Sequence, residues 1–164
     1  MIVHDFVTID RPIGEVVEQF THLSEPTLAV LVRAAWNEDR EVWQSLGLPV
    51  PRPTTDGPPT VTLGTARQRG DAIVTPHTWQ ADDGHPCFPY LDADLELAAF
   101  GTSTQVHLVG HYGLPSQLEQ WTLETSPIHR ATIVSIRNYL VMLGEMLATG
   151  CSSVGITEPS IRPR

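Results

Sequence analysis

Residues 60–69 and 72–81 carry the side chains best suited to chemistry, provided that both stretches are strands. Alternation puts Val61 and Leu63 on one face and carries Thr65, Arg67 and Arg69 to the same side. It likewise groups Ile73 with Thr75, His77 and Trp79. If that shared face looks inward, Arg67 and His77 meet a carboxylate or carbonyl of a bound molecule, and Trp79 supplies an aromatic wall. The plainer alternative has the strand ends leaving the core, so that Arg67 and Arg69 reach water and Trp79 only packs. Buried arginine is rare without a partner.

Other candidate groups lead less far. His107 and His111 would share a metal on a helix, but on a strand an i, i+4 pair is about 13 Å apart. HExxH, CxxC and Asp-rich loops are all missing, so no metal is expected. His22 and His129 fall at helix boundaries, where capping accounts for them. Asp92, Asp94 and Glu96 form a row whose expected work is solubility and protection of the sheet, because carboxylates reach catalytic range mainly through burial. Cys87 has only His85 close by, which defines no nucleophile. The segment Cys87-Phe88-Pro89-Tyr90-Leu91 suits a lid or, more simply, a stiff hydrophobic corner. No catalytic set and no cofactor are assigned.

Composition narrows the class. With 164 residues and 41% apolar content, the chain can bury a substantial single core. No apolar run approaches the roughly 20 residues that span a bilayer, and the start lacks the pattern of a secretory signal. Cys87 and Cys151 are far apart and outside any CxxC pair, which points to a reduced, cytoplasmic setting. The net charge of −9 repels phosphate backbones and anionic lipid, so neither nucleic acid nor membrane insertion is expected. All 10 basic residues are arginine, a trait of GC-rich bacterial coding, and without lysine no Schiff base can form.

The elements that must hold these groups can be read in order. Residues 2–10 favour a strand, and Pro12 opens a helix with Asp10 or Arg11 as cap; Ile13, Val16, Val17 and Phe20 supply its apolar face. A second helix is predicted from Thr27 to about Leu46, then a connector over 47–59 with five prolines. Gly70-Asp71 and Gly101-Thr102 read as two-residue turns, joining residues 60–69 to 72–81 and 92–100 to 103–112. Ala93, Leu95 and Leu97 alternate with the acidic row, and Val106 and Leu108 with Gln105 and His107. Ser126-Pro127 caps a closing helix that runs to about Thr149 and is apolar over more than half its circumference, which demands cover on most sides. Residues 150–164 read as a mobile tail.

One strand, two helices, an antiparallel meander and a long helix make an α+β layout, a helix-grip domain over residues 1–149. The opening Val7-Thr8-Ile9-Asp10-Arg11-Pro12-Ile13-Gly14-Glu15-Val16-Val17, the Gly101-Thr102 turn and Tyr112-Gly113-Leu114-Pro115 before the last helix resemble the START/Bet v 1-like (SRPBCC) superfamily. That grouping includes polyketide cyclases and lipid-transfer proteins. The resemblance lies in fold motifs, none of them catalytic. It departs in one respect: such proteins usually carry a further strand pair where this chain has its proline-rich connector, leaving five strands. A short strand within residues 47–57, or a second copy of the chain in a homodimer, would cover the exposed edge.

The resemblance implies an internal cavity for a small apolar ligand such as a lipid, polyketide or isoprenoid. Its walls would be Trp79, Leu95, Leu97, Val106 and Leu108 on the sheet and Ile136 and Leu140 on the helix, with Arg67, His77 and Tyr112 as polar groups. A binding or carrier role ranks first. A cyclase- or dehydratase-like enzyme ranks second, with His77, Arg67 or Tyr112 polarising a carbonyl or moving a proton. An interaction scaffold ranks third, its surface marked by Trp36, Trp43 or Trp121.

Overall fold

The structure, a computed structural model, describes residues 1–47, 59–80, 89–114 and 127–150. The suggested strand in the connector, Cys87-Phe88, Trp121, the Ser126 cap and the tail beyond Gly150 lie outside these residues. Strand β1 (Ile2–Ile9) leads into helix α1 (Ile13–Thr21). Pro12 itself occupies the cap position there, in place of the expected Asp10 or Arg11, and makes no side-chain cap bond. Helix α2 (Glu25–Glu38) starts two residues before the expected Thr27: the Ser24 hydroxyl accepts the Thr27 N–H at 3.3 Å, with proline in the first turn.

The single helix predicted over 27–46 is two, because α2 stops at Asp39 and α3 (Arg40–Ser45) follows. Asp39 is buried, and its Oδ1 accepts the Asn138 Nδ2 hydrogen bond from the last helix at 2.8 Å. That tertiary bond sits at the break, where Asp39 has the bridge-region geometry of φ −84° and ψ 4°.

Six strands form one antiparallel sheet, against the five expected. They are β1, β2 (Thr60–Leu63), β3 (Arg67–Arg69), β4 (Ala72–Gln80), β5 (Tyr90–Phe100) and β6 (Ser103–Gly113). The order is β1-β6-β5-β4-β2, with β3 also on β4. The extra strand comes from a break in residues 60–69. Leu63 faces His77, but Arg67 faces Val74, so three residues on one side oppose two on the other. This bulge reverses the facing of everything after it. Gly64 donates its N–H to the Pro76 carbonyl at 2.8 Å, and a Cβ on Gly64 would lie 2.8 Å from the Pro76 ring. Pro76, with no N–H of its own to pair, is tolerated mid-strand at this bulge.

Both predicted hairpins form, with Gly70 and Gly101 at φ 65° and 63°, the left-handed region that a Gly-first turn needs. Helix α4 (Pro127–Thr149) packs along the sheet's inner face, and Gly150 ends it at φ 74°. Together these elements are an α+β helix-grip fold, a curved antiparallel sheet closed on one long C-terminal helix. Its core holds Trp36, Trp43, Trp79, Tyr112 and Tyr139, all fully buried. Trp36 and Trp43 therefore mark no surface, contrary to the scaffold reading. Among the described residues, no helix is long and apolar enough to cross a membrane.

Candidate functional site: a filled interior and an open groove

Strand register sorts the inner face of the sheet into rows. Trp79, Leu91 and Tyr112 lie side by side across β4, β5 and β6. His77, Ala93, Gly110 and Val3 make the next row, then Thr75, Leu95, Leu108 and Asp5, then Ile73, Leu97, Val106 and Val7. Nine of the ten residues assigned to an internal site from the sequence therefore belong to the core: Ile136 and Leu140 join the inner face from α4. Each of the nine has 1% exposure or less, so almost none of their surface faces space that water could fill.

Arg67 is the exception and a correction. The bulge puts it on the outer face opposite Val74, with its side chain 64% exposed and 3.6 Å from Asp94. Arg69 pairs with Glu96 on the same face. The acidic row thus lies on the outer face, as read from the sequence, and the two arginines cover it. His107 lies there too, with its ring stacked on Phe6 (5.4 Å) and on His4 (6.0 Å). Among the described residues, no three metal-ligating side chains gather at one place.

Arg67, His77 and Tyr112 do not converge. His77 meets Tyr139, a residue that sequence reasoning passed over as part of an apolar helix. The tyrosine hydroxyl is 2.9 Å from His77 Nε2, and the two rings stack at 5.6 Å with 10° between their planes. Trp79 stands edge-on to both, and Trp36 edge-on to Trp79. Burial pushes His77 down to about 4, with the nearby Thr62 main chain offsetting a little, and it raises Tyr139. Both groups are neutral at pH 7. Trp79 Nε1 still has no hydrogen-bond partner among the described residues, so this cluster is held by shape more than by polar pairing.

Tyr112 makes its own pair at the rim. Its hydroxyl bonds to His129 Nδ1 on the first turn of α4, and the rings stack at 5.5 Å. Burial lowers His129, and the amino-terminal ammonium adds to that. The assignment of His129 to capping missed this contact, which only the docking of α4 creates.

Open space lies elsewhere, along the outer strand β1. A groove of about 500 Å³ runs between β1 and α4. Val7, Ile9, Val141, Gly144 and Ala148 give it apolar walls; Thr8, Asp10, Arg137 and Glu145 add polar groups. Gly144 lets the helix approach the strand, because a Cβ there would lie 2.9 Å from Val7 Cγ2. Arg137 Nη1 donates to Asp5 Oδ1 and to the Phe6 carbonyl, both at 2.5 Å, while Asp5 Oδ1 takes the Phe6 N–H at 2.8 Å. Side chains thereby close the unpaired edge of β1 at its midpoint, which opposes strand addition there. Two sequence signals pointed to the groove: an α4 too apolar for one core stripe, and a glycine inside a helix, which costs about 1 kcal/mol against alanine.

No family model matches the chain, and no curated protein matches it. Among solved structures it is similar to a protein from Thermus thermophilus, TTHA0849, at 10% identity and a TM-score of 0.38, over 93% of this chain and 100% of that one. It is also similar to the Zhui aromatase/cyclase from Streptomyces sp. R1128, at 13% identity and a TM-score of 0.29, over 90% and 95% of the two chains. Likenesses this distant carry no argument about function.

Proposed function

We propose that this protein binds a small, largely apolar molecule in the groove between β1 and α4, and holds it without changing it chemically. One observation carries the reading: an open volume of about 500 Å³ with Val7, Ile9, Val141, Gly144 and Ala148 as its walls. That is the size range of small-molecule sites. Neither histidine–tyrosine pair lines the groove, so the groups best suited to move protons face other surroundings. The cyclase-like alternative calls on His77, Arg67 or Tyr112, with at least two of them converging on one substrate, and their separate partners speak against it.

Native mass spectrometry tests this, under gentle and then denaturing conditions, on the protein and on an Ala148→Trp variant whose indole fills the groove. The expected result is a co-purifying mass of a few hundred daltons that denaturation releases and the variant lacks. Retention of that mass by a folded Ala148→Trp variant would place the ligand elsewhere and end the groove reading.

A further inference from the structure

We infer that the groove's ligand is a cationic amphiphile, an apolar body bearing a protonated amine, an inference that rests on the groove reading above. The charges around the groove carry it. Arg137 is the cation in the lining, and its charge is already met by Asp5 and the Phe6 carbonyl. Arg11, next along the chain from Asp10, lies 3.4 Å from Glu15 in an ion pair of its own. Two carboxylates remain in the lining. Asp10 has one oxygen engaged by the Ser103 hydroxyl at 3.0 Å and has no ion-pair partner among the described residues. Glu145 is exposed and has no ion-pair partner among the described residues.

An anionic amphiphile such as a fatty acid would bring a third free negative charge beside these two and would have to break the Arg137–Asp5 pair to find a cation. Like charges brought together without a partner are what a site uses to reject the wrong ligand. An ammonium group gains where the carboxylate loses, and it leaves Arg137 in place. The apolar walls accept either chain equally, so the head group alone decides.

Three eight-carbon probes separate the possibilities: octylammonium, octanol and octanoate, each titrated below micelle formation and followed by backbone NMR shifts at Val7, Val141, Gly144 and Ala148. Octylammonium is expected to bind about tenfold tighter than octanoate, with octanol between them. Asp10→Asn combined with Glu145→Gln should bring octylammonium and octanoate to within about twofold. Glu41→Gln, on α3 and exposed, should leave the preference unchanged. If octanol equals octylammonium, or octanoate binds tightest, the charge inference falls while the groove reading stands. If none of the three shifts these residues, both fall. If Glu41→Gln erodes the preference as much as the groove variants do, the general field of a chain with net charge −9 is the cause, and the inference is overturned.

Discussion

His77 and Tyr139 meet in the middle of the grip, whereas Tyr112 and His129 meet at its rim. Each pair joins a sheet residue to α4 through one hydrogen bond between stacked rings, so the chemistry is the same. Surroundings set them apart. His77 and Tyr139 have no exposed surface, while His129 keeps part of its ring in water. Burial therefore fixes His77 as neutral and makes its hydrogen bond to Tyr139 hard to replace, whereas His129 has solvent as a substitute partner. The groove shows the same contrast on a larger scale, since the space between β1 and α4 stays open where the interior is closely packed.

Truncation should separate the pairs most. Tyr139→Ala removes a fully buried ring and is expected to cost about 3–5 kcal/mol in urea unfolding, against about 1 kcal/mol or less for the partly exposed His129→Ala. Equal losses would break the comparison. Acid comes next. His77 titrates near 4 when folded and near 6.5 when unfolded, so the unfolded chain binds the extra proton between those values. The stability that the neutral ring protects is intact above about pH 6.5 and is lost as pH falls towards 4, amounting to about 3 kcal/mol. Urea midpoints across that window should fall less steeply in His77→Leu, and a slope unchanged by the substitution would contradict the assignment. Smallest is the loss of a hydroxyl. Tyr139→Phe strands His77 Nε2 in the core and should cost about 1–3 kcal/mol, whereas Tyr112→Phe should cost less than about 1 kcal/mol because water can reach His129.

Much of the fold is written in local chemistry. The hairpin glycines at 70 and 101, the Ser24 cap and the apolar periodicity of α4 each act within a few residues, and the elements follow them. What the sequence hid was set across space. The bulge at Gly64 turned Arg67 outward, and strict alternation carries no mark of it except a proline at 76, in the middle of the paired strand. Asp39 interrupts a helix at the point where it meets Asn138, a residue 99 positions later. The groove depends on β1 being an outer strand, a matter of topology, and its sequence traces were an unexplained glycine at 144 and surplus apolar residues at 141 and 148. Tyr139 was overlooked because a tyrosine on an apolar stripe reads as packing until its partner is known.

The central claim is that ligand space lies along β1 and not inside the grip. Methyl NMR during an octanol titration tests it most directly, since both regions are rich in methyl groups. The account predicts shifts at Val7, Ile9, Val141 and Ala148 that saturate together, with Leu95, Leu108 and Leu140 unmoved. Shifts confined to those three leucines would contradict it and return the site to the interior.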